Sequence, residues 1–228
     1  ERPIKILVDA LNNLGCNLSY LKNEGFPPLQ INPPGILRNA IQLPANISSQ
    51  YISALMLVAP KLKEGLQIEL TSKITSLPYL KMTQRLMSEV GFDVDFNEKI
   101  IRIKPQPEVN KVELAVESDW SSASYYYSLV ALSKNLVLDL YTYKQDSLQG
   151  DSKLAELYEP LGVKTTFFDS LIRLEKIDLI KPTVKEFGPY EVNLNDTPDL
   201  AQTLAVTCLG LNMPCKLTGL HTLKIKET

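Results

Sequence analysis

The sequence predicts an α/β (α+β) fold built from repeated βαβαββ units. Three observations predict it. First, a helix-like segment ends three times in a hydrophobic residue plus Gly, at Leu14-Gly15, Val90-Gly91 and Leu161-Gly162, 76 and 71 residues apart. Gly just past the last apolar helical position is a C-cap signal. Second, each Gly is followed by two short alternating runs, which is a hairpin signal. These runs are Asn17–Tyr20 with Leu29–Ile31, Asp93–Phe96 with Ile100–Ile103, and Lys164–Phe167 with Leu171–Leu174. Third, Ser48-Ser49-Gln50, Ser121-Ser122-Ala123-Ser124 and Thr197-Pro198-Asp199 each open an apolar helix at a similar period. Ser, Thr and Asp suit helix N-termini, and Pro suits the first turn.

The elements follow in order. The first helix of each unit (Tyr51–Ala59, Tyr125–Leu132, Leu200–Leu211) is apolar nearly all round, so each is expected to be buried. The second helix is amphipathic. Leu86, Met87 and Val90 share one face, as do Leu154, Leu157, Tyr158 and Leu161. The sequence thus holds a partial unit, a complete unit over about 41–104, a second over about 112–175, and a further partial one. A last strand is expected over Leu220–Ile225. Pro105 and Pro107 stiffen the stretch Pro105–Asn110 and stop any sheet ladder, which puts a domain boundary near 105–117. Lys181–Pro189 is a second inter-unit loop. Trp120 is expected in the core or at a helix entry. Tyr125, Tyr126 and Tyr127 cannot all face inward.

Composition narrows the function. With 228 residues, 44% hydrophobic and 22% charged, the chain can bury one large core or two smaller ones. Its net charge is −2, from 24 Lys+Arg against 26 Asp+Glu, which argues against a nucleic-acid binder. The longest apolar run, Ile52–Ala59 broken by Ser53, is too short for a membrane span. Three cysteines without ligand spacing fit neither a disulfide framework nor a zinc site, and suggest a reducing cytoplasm. A single His makes a protein-only metal site unlikely on composition. No Gly-x-Gly-x-x-Gly or phosphate-loop pattern occurs. The chain starts Glu1-Arg2-Pro3 and ends Lys226-Glu227-Thr228, without Met or signal peptide, and reads as a fragment of a longer protein.

Several residues could carry chemistry. Ser48, Ser49 and Gln50 add hydroxyl and amide donors to a helix start, whose free N–H groups and partial positive charge favour phosphate. The same residues serve equally as plain helix caps. Asp199, in a first turn, could orient a hydroxyl or accept its proton, or simply complement the helix dipole. Lys226-Glu227 is by itself an ordinary surface pair. His221 next to apolar residues reads as a satisfied structural residue.

Residue order carries more than spacing. Glu1-Arg2-Pro3-Ile4, Val8-Asp9-Ala10-Leu11, Pro27-Pro28-Leu29, Ser48-Ser49-Gln50-Tyr51, Ser76-Leu77-Pro78-Tyr79, Asp119-Trp120-Ser121-Ser122, Ser147-Leu148-Gln149-Gly150-Asp151, Pro198-Asp199-Leu200 and Lys226-Glu227-Thr228 run through the whole chain. In this order they resemble the middle of the 5-enolpyruvylshikimate-3-phosphate synthase family. The resemblance implies a two-domain enolpyruvyl-transferase fold (inverse α/β barrel-like), here truncated. Residues 1–112 would be part of the N-terminal domain and 113–228 part of the C-terminal domain. It also implies transfer of the enolpyruvyl group of phosphoenolpyruvate to the 5-hydroxyl of shikimate 3-phosphate, with release of phosphate. No cofactor or metal would be needed, and the protein would be a cytoplasmic monomer.

The same resemblance implies roles. Ser48, Ser49 and Ser76 would hold the 3-phosphate, Gln50 would lie between both substrates, and Tyr79 would pack beside the shikimate ring. Arg2 would contact phosphoenolpyruvate. Lys226 would face shikimate 3-phosphate. Asp199 would orient the attacking hydroxyl, and Glu227 would protonate the methylene carbon and later take that proton back. Two positions depart from the family: Ser118 where Gly is usual, and Thr222 where Asn commonly binds shikimate 3-phosphate. The family's N-terminal Lys-Ser and later phosphate-clamping cations are not in this chain, so the fragment alone is expected to have negligible turnover. Two rival readings differ in class. One is the sister transferase acting on UDP-N-acetylglucosamine, which lacks the Ser-Ser-Gln and Ser-x-Pro-Tyr patterns. The other is a non-catalytic ligand-binding repeat domain, in which Asp199 and Glu227 would be dispensable.

Overall fold

The computed structural model describes residues 3–46, 49–106, 108–109, 111–178 and 189–225. The chain divides into two compact units, one formed by Glu1–Glu113 with His221–Thr228 and the other by Leu114–Leu220.

The first unit opens with helix α1 (Lys5–Asn13) and the antiparallel hairpin β1 (Asn17–Tyr20) and β2 (Leu29–Asn32). One complete repeat follows: β3 (Ala40–Leu43), α2 (Ser49–Val58), β4 (Leu66–Leu70), α3 (Leu77–Glu89), β5 (Val94–Asn97) and β6 (Ile100–Ile103). Its sheet has the order β3-β4-β6-β5, with β3 parallel to β4 and the other pairs antiparallel. Alternation decides which face is inside. In β4, Leu66, Ile68 and Leu70 are buried while Gln67 and Glu69 face outward. They pack with Ile52, Leu55, Met56, Leu80 and Ile101 in one core.

The second unit opens with α4 (Trp120–Leu132) and β7 (Val137–Tyr141). A 3-10 turn at Gly150–Lys153 leads to α5 (Leu154–Tyr158), then β8 (Val163–Phe167) and β9 (Leu171–Lys176). These strands form an antiparallel sheet of order β7-β9-β8. Trp120 is fully buried and meets Tyr143 edge-on at 5.0 Å. Strand β10 (Tyr190–Asn193), a 3-10 turn at Pro198–Leu200, helix α6 (Ala201–Gly210) and β11 (Cys215–Thr218) complete it, with β10 parallel to β11. Helices α4, α5 and α6 share a hydroxyl cluster in which Thr207 Oγ1 lies 2.6 Å from Ser128 and 3.0 Å from Tyr158.

All three expected hairpins form, and the expected helix-ending glycines Gly15, Gly91 and Gly162 have φ of +101°, +97° and +85°. At Gly15 a Cβ would sit 2.3 Å from the Ile36 carbonyl oxygen, so the turn admits no side chain there.

Other expectations are corrected. The second repeat has no opening strand: residues 111–119 carry no regular structure, and Val112, Leu114 and Val116 are exposed. Their alternation has no buried face to select a register. Ser118 meets the end of β7, donating its N–H to the Thr142 carbonyl and its hydroxyl to the Tyr141 carbonyl. Helix α4 starts at Trp120, earlier than Tyr125, because Asp119 caps it. The apolar helices are not buried all round. Leu57 and Val58 on α2, Tyr125, Tyr126, Leu129 and Leu132 on α4, and Val206 and Leu209 on α6 are exposed. Tyr127 is the inward ring of the tyrosine run. Leu86 is also exposed, while Met87 on the same helix is buried. The last segment, His221–Ile225, is a 3-10 stretch and not a strand. It follows Gly219 at φ +77°, which turns the chain out of β11. From His221 on the chain groups with the first unit and not with the residues before it. The Lys181–Pro189 loop lies outside the described residues except for Pro189.

Candidate functional site

The carboxyl ends of parallel strands β3 and β4 are where this sheet can hold a ligand, because the helices that follow both strands begin there. The loop after β3 leads into α2 and the loop after β4 into α3. Side-chain and backbone bonds clasp the two loops together. The Ala45 N–H donates to Ser72 Oγ (2.8 Å), Ser72 Oγ donates to Asn46 Oδ1 (3.2 Å), and the Thr75 N–H donates to the Ala45 carbonyl (3.0 Å). Behind them α2 and α3 pack side by side, with Ser53 and Thr83 hydroxyls 3.0 Å apart.

Both helix starts lack a carboxylate. Neither α2 nor α3 has an acidic residue in its first turn. Ser76 precedes α3 in a left-handed conformation, φ 57° and ψ 40°, and makes no side-chain cap bond. A non-Gly residue held there costs about 1–2 kcal/mol, and such strain concentrates at functional sites. Ser76 is buried, Ser49 and Tyr79 are half-buried, and Gln50 is exposed. Tyr51, next to Gln50, donates its hydroxyl to the Pro3 carbonyl, which ties the chain after Arg2 to the first turn of α2.

The crossing segment completes the cluster. His221 Nε2 lies 3.1 Å from Thr75 Oγ1 and 3.2 Å from the Asn46 carbonyl oxygen. Thr222 beside it is buried, and its hydroxyl has no hydrogen-bond partner among the described residues. An orphaned buried hydroxyl costs about 1–3 kcal/mol unless something meets it. Among the described residues no group of three or more His, Cys, Asp and Glu could hold a metal ion, and no helix is long and apolar enough to cross a membrane.

The model of the EPSP synthase (3-phosphoshikimate 1-carboxyvinyltransferase) family matches residues 1–228. This chain belongs to the EPSP synthase family. It is 44% identical over 229 residues to the 3-phosphoshikimate 1-carboxyvinyltransferase of Bacteroides fragilis, covering 100% of this chain and 54% of that protein. It is 34% identical over 230 residues to that of Histophilus somni, covering 100% and 51%. The chain therefore spans about half the length of the curated relatives it matches. Among solved structures, EPSP synthase from Acinetobacter baumannii superposes with a TM-score of 0.64 at 16% identity, over 91% of this chain and 46% of that one. At that identity the likeness speaks to the fold alone.

In this member of the EPSP synthase family, Ser49, Gln50, Ser76 and Tyr79 gather at one end of the first unit's sheet. Asp199 is exposed on the 3-10 turn of the second unit. Arg2, Ser48, Lys226 and Glu227 lie outside the described residues. Sequence reasoning did not single out the clasp of Asn46, Ser72 and Thr75, nor the part His221 plays in it. Its only sequence signal is position, since all three lie in strand-to-helix connections of the βαβαββ unit read over about 41–104.

Proposed function

We propose that this chain belongs to a 3-phosphoshikimate 1-carboxyvinyltransferase and supplies the site for the 3-phosphate of shikimate 3-phosphate. One observation carries the site reading. Two adjacent helix starts, without any acid in their first turns, open at the carboxyl ends of the parallel pair β3 and β4. Unpaired N–H groups and the helix dipole favour a phosphate there without lysine. In this reading Ser48, Ser49 and Ser76 donate to the phosphate, Gln50 lies between the two substrates, and Tyr79 flanks the shikimate ring. Lys226 faces shikimate 3-phosphate, and Arg2 contacts phosphoenolpyruvate.

The reaction would be an addition followed by an elimination. Asp199 orients the 5-hydroxyl and accepts its proton as the oxygen bonds to C2 of phosphoenolpyruvate. Glu227 gives a proton to the methylene carbon, and a tetrahedral intermediate forms. Departure of phosphate, which carries away the proton taken up by Asp199, with return of a methyl proton to Glu227, leaves the enolpyruvyl ether. A carboxylate in that role needs a pKa tuned by its surroundings. The same reading makes the whole protein a cytoplasmic monomer without cofactor, with residues 1–112 in its N-terminal domain and 113–228 in its C-terminal domain, of which the stretch from His221 groups with the first unit.

The test is calorimetric titration of shikimate 3-phosphate into the chain, beside Ser49→Ala. Loss of one hydrogen bond to a charged group costs about 1.5–3 kcal/mol, so affinity is expected to fall roughly 10- to 100-fold. Equal affinity in the variant would overturn the assignment of Ser49. UDP-N-acetylglucosamine in the same titration is expected to give no heat.

A further inference from the structure

We propose that His221 is a positioning residue of this phosphate site. Its ring Nε2–H clasps the two loops that present the serines, and so ties both to the segment that enters Lys226 and Glu227. The inference rests on the reading above for the identity of the ligand, but the clasp stands on geometry alone.

The proton assignment follows from chemistry. Nε2 lies 3.2 Å from the Asn46 carbonyl oxygen, which can only accept, so Nε2 carries the hydrogen. Thr75 Oγ1, 3.1 Å away, shares it as a second acceptor, which leaves the Thr75 hydroxyl proton free to donate elsewhere. Neutral imidazole of this tautomer and imidazolium both keep the two bonds.

Sequence separation shows what one ring joins. Asn46 is two residues before Ser48, Thr75 directly precedes Ser76, and His221 is five before Lys226. The bonds therefore span 175 and 146 residues of chain. The two loops are also linked to each other through Ala45, Ser72, Asn46 and the Thr75 N–H, and the His221 ring adds the 221–225 segment to that set. A misplacement of a few tenths of an ångström at either loop weakens a phosphate site more than it weakens the fold, because donor geometry is steep. His221 is itself exposed, so its replacement removes little core packing.

Two variants separate positioning from folding. His221→Phe keeps a planar ring without the donor, and His221→Gln restores an N–H donor. Amide hydrogen exchange of Ala45, Asn46, Thr75 and Ser76 is measured on the chain without ligand, with the carboxyl half of α3 as internal control. In His221→Phe the loop amides are expected to exchange about tenfold faster while the control is unchanged, with His221→Gln returning to within threefold of the parent. Unchanged loop exchange in His221→Phe overturns the clasp. Shikimate 3-phosphate is then titrated. An affinity loss of about tenfold in His221→Phe, rescued by His221→Gln at equal melting temperature, supports positioning. Altered exchange with unaltered affinity overturns it. Failure of the parent chain to bind shikimate 3-phosphate, with the exchange result intact, overturns the ligand assignment and not the clasp.

Discussion

The two repeats open their first helices with the same residues and close them differently. An offset of 73 pairs Ser48-Ser49 with Ser121-Ser122, and Asn46 with Asp119. In the second unit Asp119 folds back over the start of α4. Its Oδ1 accepts from the Ser121 N–H (3.0 Å) and Ser121 Oγ (2.7 Å), and its Oδ2 accepts from Ser122 Oγ (2.7 Å). Both hydroxyls and the helix dipole are therefore already spent on a built-in anion. In the first unit the matching side chain is a neutral amide turned toward Ser72. A repeat can thus keep its fold while one carboxylate, two residues before a Ser-Ser pair, takes up the hydroxyls of its own helix start.

The sharpest way to break this contrast is to give the first unit the second unit's acid. Asn46→Asp puts a carboxylate beside the proposed phosphate position. At an effective dielectric of about 20 and a separation of roughly 5–6 Å, the repulsion is on the order of 3 kcal/mol. Affinity for shikimate 3-phosphate is expected to fall roughly 100-fold, with the melting temperature held or raised by the new cap. Calorimetry and thermal unfolding on the same sample check both halves. Undiminished affinity would mean that the phosphate does not sit at that helix start.

The converse change acts on stability. Asp119→Ala removes the cap of α4 and is expected to cost the second unit about 1 kcal/mol at pH 7, read by urea unfolding. The pH dependence has a definite sign. Burial, the largest single influence on Asp119, pushes its carboxyl up, but the bonds from Ser122 and Ser121 together outweigh it and hold it below the ordinary 3.8. A carboxyl lowered on folding stabilises above the unfolded value, and that contribution is lost as pH falls through the folded one. The gap between parent and Asp119→Ala should therefore be full at neutral pH and close only as pH falls below 3.8. A gap that is already gone at pH 5 would show that the hydroxyl bonds do not hold the charge.

The same contrast explains how much could be read in advance. Local geometry was legible: three hairpins and three left-handed glycines answer to alternation and helix ends, which neighbouring residues decide among themselves. Features set by distant partners were not. Val112, Leu114 and Val116 alternate as a strand should, yet no partner strand meets them among the described residues. Leu129 and Leu209 look like core residues in sequence and are exposed, because burial depends on what packs against a helix and not on its own composition. At the candidate site, Ser49 and Ser76 stand out by their order along the chain, and both lie at helix starts. His221 reads in sequence as a satisfied structural residue and its ring is satisfied, but nothing local announces that its partners lie 146 and 175 residues away.

The smallest effect refines the comparison by giving the second unit its own reporter. Cys208 on α6 is fully buried, and burial, together with neighbouring Cys215, pushes its thiol up to about 12. The thiolate is the reactive form, so at pH 8 only about one Cys208 in ten thousand is ionised, besides being shielded. Cys16, in the first unit, and Cys215 are both partly accessible. A thiol reagent at pH 8 is therefore expected to modify two cysteines per folded chain, and the third only as the second unit opens. Because that opening sets the rate at Cys208, losing the Asp119 cap should accelerate its labelling about fivefold, the equivalent of about 1 kcal/mol, while Cys16 is unaffected. Unchanged labelling at Cys208 would mean that the cap on α4 does not govern the opening that exposes this thiol.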